Sequence, residues 1–157
     1  MAIYQDFKEL LESFNAHNVE YVVVGAHALA HHGVVRATKD IDVYVRPSPA
    51  NSERILAALD AFGFGGIGLT REDFQKPNQV IQLGHAPIRI DLITSIAGVA
   101  WEQAAAGQCQ GNYGGMPIPI LGRADLIASK KAAGRLQDLA DVERLEEPQE
   151  EGEPDDS

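Results

Sequence analysis

The chain has 157 residues, 45% of them hydrophobic, and a formal net charge of -10 at pH 7. This length and composition predict one globular domain with a sizeable core. No apolar run approaches the roughly eighteen residues that suggest a membrane span, and the N-terminus lacks a basic start and an apolar signal core. Cys109 is the only cysteine, which excludes an intrachain disulfide. We therefore expect a cytoplasmic protein that does not enter a membrane.

The negative charge is concentrated near the C-terminus. Residues 146–157 contain seven acidic residues and no lysine or arginine, and subtracting these seven from -10 leaves -3 for residues 1–145. We predict a single domain over residues 1–145 and an acidic disordered tail over 146–157. The acidic body lacks the basic surface of a general nucleic-acid binder, so we expect no general DNA binding.

The first third of the chain predicts a helix, a strand and a short helix. Large apolar residues recur at helical spacing and indicate an amphipathic first helix. The apolar run 19–24 predicts the first strand. It breaks at Gly25, a short helical segment follows over residues 26–31, and Gly33 is expected to cap that segment. The apolar residues of the first helix are Tyr4, Phe7, Leu10, Leu11 and Phe14.

The second predicted strand, residues 41–45, begins inside the sequence Asp40-Ile41-Asp42. Aspartate is depleted in strands, so two of them at alternate positions require a reason. Alternation places both carboxylates on one face and the neighbouring apolar residues on the other. Two adjacent carboxylates repel each other unless a cation or a proton lies between them. We interpret the pair as part of a divalent-metal site; the alternative is a solvated edge strand with two surface acids.

Helical segments, a flexible connection and a hairpin are predicted between the second strand and residue 93. Ser48 and Pro49 have the residue types of an N-cap and a first helical residue. The remaining pattern predicts a helix to about Ala61, a flexible glycine-rich connection at 63–68, a helical turn at 70–74, and a hairpin of strands 79–83 and 88–93.

Asp91 lies in the middle of the apolar strand 88–93. A buried strand does not carry an isolated carboxylate cheaply, so Asp91 needs a partner. The partner is either Arg89, two residues away on the same face, or a metal shared with Asp40 and Asp42. Three carboxylates on neighbouring strands suit Mg²⁺ or Mn²⁺ and phosphoryl-group chemistry.

The C-terminal part predicts two loops, a short helix at 101–106, a strand and a helical end. The loops cover residues 94–98 and 108–115. Pro117 and Pro119 indicate that strand 116–121 is an edge strand. The helical end has a buried apolar stripe, and Gly134 is a possible break within it. The predicted stripe consists of Ala124, Leu126, Ile127, Ala132, Ala133, Leu136, Leu139 and Ala140.

Four segments in this order resemble the nucleotidyltransferase superfamily with the DNA polymerase β-like core. They are Gly25-Ala26, the run 36–42 (RATKDID), Arg89-Ile90-Asp91 and the C-terminal run 121–141. The resemblance covers residues 19–145 and is closest to the small prokaryotic branch of AbiEii-type toxins and minimal nucleotidyltransferases. It implies an α+β fold, with a short, mixed, twisted sheet and helices packed mainly on one face.

The resemblance also implies an activity. A member of this superfamily moves a nucleoside monophosphate from a nucleoside triphosphate such as ATP to a hydroxyl acceptor, with Mg²⁺ or Mn²⁺. The acceptor would be an RNA end such as that of tRNA, a protein or a small molecule, and a toxin–antitoxin system with a cognate toxin or antitoxin is a possible setting. The alternative is a weakly active or inactive nucleotide-binding or partner-binding module of such a pair.

The matching positions carry specific expectations. Asp40, Asp42 and Asp91 would be the catalytic residues and metal ligands, with Asp91 as base for the incoming hydroxyl. Gly25 and Ala26 would offer backbone N–H groups to phosphate. Many members have Gly-Ser or Gly-Gly where this chain has Gly25-Ala26, so no serine hydroxyl is available here for a phosphate.

Three further positions were assigned to the nucleotide site. Arg36 and Thr38 alternate with the acids; Arg36 would approach the triphosphate or pair with a carboxylate. The resemblance places Lys130 near the nucleotide and has Asp138 hold the closing helices. The alternative for these two is a solvated helix face with pairs such as Arg135–Asp138. His27, His31 and His32 are interpreted as surface or supporting residues rather than metal ligands.

Overall fold

The computed structural model describes residues 4–64, 68–84 and 89–148. Their helices are α1 Gln5–Ala16, α2 Gly25–His31, α3 Pro49–Leu59, α4 Arg71–Gln75, α5 Trp101–Gly107, α6 Arg123–Ala133 and α7 Leu136–Glu146, with a π-helical turn Asp60–Phe64 after α3. Their strands are β1 Tyr21–Val24, β2 Asp40–Val45, β3 Val80–Leu83, β4 Arg89–Ile93, β5 Cys109–Tyr113 and β6 Met116–Ile120. No helix in the described ranges is long and apolar enough to cross a membrane.

The strands form one mixed sheet in the order β3-β4-β2-β1-β6-β5. β1 pairs antiparallel with β2, whereas β2 and β4 run parallel. The outer pairs β3–β4 and β5–β6 are antiparallel, and β1 meets β6 in parallel. The predicted α+β class and mixed sheet are thus confirmed. The turn of the predicted β3–β4 hairpin, part of the glycine-rich connection and most of the predicted tail lie outside the described residues.

The core forms because helix and strand periodicities present apolar faces to each other. The predicted apolar stripe of α1 is buried, at Phe7, Leu10, Leu11 and Phe14. On β2, Ile41, Val43 and Val45 are fully buried. The opposite face of β2 therefore carries Asp40 and Asp42, as alternation predicts. Burial of the apolar face fixes this register, because a slip of one residue would place the acids in the core.

The predicted start signal of α3 is confirmed, and the structure shows a second cap at the start of α4. The Ser48 side chain accepts a hydrogen bond from the Asn51 N–H at 3.2 Å, and Pro49 is the first residue of α3. Thr70 precedes α4, and its N–H donates to Asp73 at 2.7 Å. These caps satisfy amides that the first turn of a helix leaves without partners.

The prediction of a loop over residues 108–115 is wrong, because β5 lies there. Gly114 and Gly115 both have positive φ, 59° and 88°, and connect Tyr113 to Met116 in a two-residue turn. Such turns favour glycine at both central positions. The polar sequence of β5 concealed the strand, but the Gly-Gly pair was a readable hairpin signal.

The prediction that strand 116–121 lies at an edge is also wrong, because β6 lies between β1 and β5. The prolines are tolerated because β6 meets β1 only at its end, through Val23 and Ile120, with the Leu121 N–H donating to the Val23 carbonyl at 3.0 Å. The Pro117 carbonyl instead accepts from the Asn15 side chain at 3.2 Å. β5 forms the edge.

The C-terminal helical segment breaks at Gly134, which has φ of 70° and ends α6. Most of the predicted buried stripe is wrong: only Leu126 is buried and Ile127 half-buried, and the other six residues are exposed, Leu136 at 89% and Leu139 at 47%. α7 instead buries Asp138, Asp141 and two apolar residues further along, Val142 and Leu145. The inward face of α7 thus combines the ion pairs of two aspartates with two apolar side chains. Glu146, assigned to the tail from the sequence, is the last residue of α7.

Candidate active site

The candidate site lies at the centre of the sheet, where β1, β2 and β4 are neighbours. Asp42 is aligned with Val24 at the end of β1 and with Asp91 on β4. Asp40 is aligned with Arg89. Strand pairing therefore places Asp40, Asp42 and Asp91, here called the acid cluster, on one face of adjacent strands.

The turn from β1 into α2 packs directly against the acid cluster. Gly25 has φ of 68°, and a Cβ atom at this position would lie 2.3 Å from Asp42 Oδ2. A side chain is therefore excluded both by conformation and by space. Glycine brings the backbone of the turn next to the Asp42 carboxylate, and Ala26 follows it in the first turn of α2.

The electrostatics of the acid cluster are unfavourable for three ionised carboxylates. Burial, followed by the charges of Asp91 and Asp40, raises the pKa of Asp42 to about 6, and the nearby Arg89 only partly opposes this. A hydrogen bond with Asp91 acts in the same direction, because it favours the protonated form of Asp42. The positive charge near the cluster is thus too small to balance three ionised carboxylates.

Arg89 is the cation that contacts the cluster. Its Nη2 atom lies 3.2 Å from Asp40 Oδ2 and 3.3 Å from Asp91 Oδ2. The sequence offered Arg89 or a metal as the partner of Asp91; the structure shows the Arg89 contact and adds one to Asp40. Within the described residues, the buried atoms Asp91 Oδ1 and Arg89 Nε have no hydrogen-bond partner.

The donor chemistry of the cluster suits a hard divalent cation. Asp42 is in register with Asp91, and Asp91 has an unpaired buried oxygen. Carboxylate oxygens are the ligands that Mg²⁺ and Mn²⁺ prefer. In the arrangement seen here, however, no group of three or more His, Cys, Asp or Glu side chains in the described ranges is positioned to hold a metal ion. The assignment of the three acids as metal ligands therefore stays a prediction.

A pocket of about 250 Å³ adjoins the acid cluster. Its floor is formed by Gly25 and Asp42 near the sheet, and α6 and α7 supply its wall. The lining is mixed, with Lys130, Arg135 and Asp138 among apolar residues such as Ile96 and Leu126. The pocket thus combines acidic and basic groups beside the β1–α2 turn.

Lys130 lines this pocket, but its ammonium group is already paired. Its Nζ atom lies 3.0 Å from Asp141 Oδ2 and 3.3 Å from Asp138 Oδ1. The contact joins α6 to α7 across the break at Gly134. Arg135 Nε also donates to Asp138 Oδ2 at 2.6 Å, so the predicted Arg135–Asp138 pair is present, but Asp138 is buried and not on a solvated face.

Arg36 pairs with a carboxylate rather than lying at the acid cluster. Its two terminal nitrogens contact both oxygens of Asp141, and the Nη1 contact measures 3.1 Å. Hydrogen bonds and charge from Arg36 and Lys130 overcome the effect of burial and lower the pKa of Asp141 to about 2. We call Arg36, Lys130, Arg135, Asp138 and Asp141 the helix network.

Thr38 has a supporting position. Its Oγ1 accepts a hydrogen bond from the Asp40 N–H at 2.7 Å, which holds the start of β2. Among the histidines, His32 Nε2 donates to the Leu121 carbonyl at 2.8 Å. His27 is buried and packs edge-to-face against Phe7. These contacts are structural.

No protein-family profile matches the chain, and no curated protein matches its sequence. Solved structures do match. One is a protein from Thermotoga maritima proposed to be a nucleotidyltransferase, with a TM-score of 0.57, 16% identity and coverage of 92% of each chain. This likeness extends over nearly the whole of both chains and establishes the nucleotidyltransferase fold.

Two further matches are to antibiotic-modifying proteins. The lincosamide antibiotic adenylyltransferase LnuA, with lincomycin bound, has a TM-score of 0.57 and 15% identity, over 92% of this chain and 98% of LnuA. ANT(2″)-Ia in complex with adenylyl-2″-tobramycin has a TM-score of 0.53 and 15% identity, over 88% and 84% of the two chains. At these identities the comparison shows a shared fold.

Proposed function

We propose that the chain is a metal-dependent nucleotidyltransferase that moves a nucleoside monophosphate from a nucleoside triphosphate such as ATP to a hydroxyl acceptor. The observation that carries the proposal is the Asp42–Asp91 pair, in register on parallel strands, with Asp42 packed against the Gly25 turn. Three neighbouring acids with one incomplete counter-ion cost stability, and a functional site accounts for such a cost.

Each residue of the site has its own role in the proposed transfer reaction. The Asp91 carboxylate accepts the proton of the acceptor hydroxyl. The hydroxyl oxygen forms a bond to the α-phosphorus as the bond to the pyrophosphate oxygen breaks. Backbone amides of Gly25 and Ala26 and the Lys130 ammonium hold the phosphates. Mg²⁺ or Mn²⁺ held by Asp40, Asp42 and Asp91 would supply neutralisation of the triphosphate charge.

Positioning accounts for most of the expected rate enhancement. In-line attack needs a deprotonated hydroxyl held against a charged triphosphate, and both are favoured by a partly buried, preorganised site. The sheet supplies that rigidity. Asp42 lies on β2, which pairs with β1 and β4, and Asp91 lies on β4, which pairs with β2 and β3. Ala26 lacks a hydroxyl, so the phosphate contacts of the turn depend on its backbone.

For the acceptor, we favour a small hydroxyl compound over an RNA end or a protein. The similarity to proteins described with lincomycin and with adenylyl-2″-tobramycin supports this choice. The mildly acidic body supports it as well, since polyanionic RNA is bound chiefly through basic surfaces. RNA ends such as tRNA and protein hydroxyls are the alternatives to test alongside.

The test is incubation of the protein with α-labelled nucleoside triphosphates, Mg²⁺ or Mn²⁺, and panels of small hydroxyl compounds, tRNA and proteins. Pyrophosphate release together with transfer of label to one panel is the expected result. Nucleotide binding without any turnover, over all acceptors and metals, would contradict the enzymatic proposal.

One observation favours a second candidate, a partner-binding module of a toxin–antitoxin pair. Leu136 is 89% exposed and Val35 is 74% exposed, so both apolar side chains are accessible to a protein partner. In that case the chain would bind nucleotide without turnover and would form a stable complex with a cognate toxin or antitoxin. Substituting Leu136→Gln would weaken such a complex and leave nucleotide binding unchanged.

A further inference from the structure

Arg89 contacts the acid cluster in an incomplete way. A single nitrogen, Nη2, is shared between Asp40 and Asp91 at 3.2 and 3.3 Å. Arginine binds a carboxylate most strongly through two parallel N–H groups. Arg36 makes that two-nitrogen contact with Asp141. Arg89 does not, so its contact is the weaker of the two.

Both Arg89 and Asp91 have a further polar atom that makes no hydrogen bond to the described residues. Arg89 Nε is buried and, among the described residues, has no hydrogen-bond partner, and the same holds for Asp91 Oδ1. A buried polar group without a partner is unfavourable for the folded state. The Arg89 side chain is nevertheless 39% exposed, so its end is free to move toward solvent or a ligand. The geometry is that of a temporary partner.

We propose that Arg89 is a positioning residue that substitutes for the metal ion when nucleotide is absent and couples metal binding to nucleotide binding. The inference rests on the proposed function. Metal alone has to displace Arg89 from Asp40 and Asp91 and leaves the guanidinium with no anionic partner. A metal–triphosphate complex supplies phosphate oxygens, which arginine binds well, so displacement then costs little. The site therefore binds the metal and the triphosphate together.

The matched control is Lys39, which immediately precedes Asp40 and is exposed. Lys39→Gln also removes one positive charge close to Asp40, but it leaves the contacts of Arg89 in place. Arg89→Lys keeps the charge and loses the planar guanidinium. Comparing these variants with Arg89→Gln separates displacement of a specific contact from a change in net charge.

The measurement is Mn²⁺ binding to the full chain by electron paramagnetic resonance and calorimetry, without nucleotide and with a non-hydrolysable triphosphate analogue. We expect Arg89→Gln to bind Mn²⁺ alone about tenfold more tightly than wild type and to lose a similar factor of coupling between metal and analogue. Lys39→Gln should stay within about twofold of wild type, and Arg89→Lys should retain part of the coupling. Circular dichroism verifies that each variant is folded.

Two results would overturn the inference. One is Mn²⁺ binding by Arg89→Gln that equals or falls below that of wild type; the other is an equal gain in Lys39→Gln, which would show a general charge effect. Turnover assays are separate. Absence of turnover with the predicted change in Mn²⁺ affinity would reject the proposed function alone. Turnover with no change in Mn²⁺ affinity would reject the role of Arg89 alone.

Discussion

Two groups of ionised side chains lie on either side of the same pocket, and they differ in their balance of acidic and basic residues. The acid cluster on the sheet has three carboxylates and, in the described residues, one contacting cation. The helix network has two carboxylates and three cations. Asp141, 1% exposed at its side chain, receives both Arg36 and Lys130. The network is paired throughout, whereas the cluster is not.

The pKa shifts record this difference. Burial and neighbouring acids raise the pKa of Asp42, while hydrogen bonds from cations lower those of Asp138 and Asp141. A shifted pKa is a statement about stability, so ionisation of Asp42 opposes folding and ionisation of Asp141 favours it. Comparison of the two groups suggests that the network holds the fold together and the cluster holds a ligand.

The largest expected effect follows from Asp42→Asn. We expect nucleotidyl transfer to fall about 100-fold or more with the fold intact, because losing a metal ligand removes several kcal/mol of charge stabilisation. The assay is pyrophosphate release, with Asp60→Asn as a control for an exposed acid outside the site. Retention of more than about a tenth of the wild-type rate would exclude a two-metal role for the cluster.

The next effect separates two adjacent lysines. Lys130 is 15% exposed and pairs with two buried acids, whereas Lys131 is 58% exposed and pairs with exposed Glu146. Lys130→Gln removes one charged partner from each of two buried acids, which keep Arg36 and Arg135, so it should lower the free energy of unfolding by about 2 kcal/mol. Lys131→Gln should change it by less than about 1 kcal/mol. Urea unfolding without nucleotide measures both, and equal losses would show that the network is not structural.

Lowering the pH should remove the contribution of the helix network to the stability of the fold. The pKa of Asp141 is lowered in the folded protein to about 2, so its contribution is complete above about pH 4 and is lost as the pH falls toward 2. The melting temperatures of wild type and Asp141→Asn should therefore converge as the pH is lowered from 5 to 3. A constant difference over this range would mean that the Asp141 ion pairs do not stabilise the fold.

The acid cluster should respond in the opposite direction and less strongly, since Asp42 is only half-buried. Its folded pKa of about 6 lies above the unfolded value, so the folded state is favoured at low pH and loses that advantage as the pH rises from about 4 through 6. In chelator, the melting temperature of Asp42→Asn should exceed that of wild type at pH 7.5 and approach it near pH 5. A difference that does not depend on pH would contradict this account of the cluster.

Local pattern was sufficient to predict the acid cluster. Alternation along β2 placed Asp40 and Asp42 on one face, and an acid within an apolar strand singled out Asp91. The Arg36–Asp141 contact, in contrast, joins residues 105 positions apart. No local periodicity contains such a pairing, so the sequence could not show which of the two offered partners Arg36 takes.

The errors have a common physical origin. β5 was missed because it carries few apolar residues, and its pairing with β6 is specified by the Gly114-Gly115 turn. The orientation of α7 was missed because burial was assigned from apolar residues alone. The inward face carries Asp138 and Asp141 with their cationic partners beside Val142 and Leu145, while Leu136 and Leu139 are exposed. The roles assigned to Ala26, Thr38 and Lys130 in nucleotide binding stay predictions.

The parallel pairing of β2 with β4 has a consequence for how the protein folds. β2 ends at Val45 and β4 begins at Arg89, so the pairing closes a long loop that contains α3, α4 and β3. Closing such a loop lowers the chain entropy before stabilising contacts have formed. Contacts between distant segments therefore form slowly. Asp42 and Asp91 are thus brought together only when the sheet closes. Metal or nucleotide binding would report a late folding event, and a nascent chain that ends before β4 has no site.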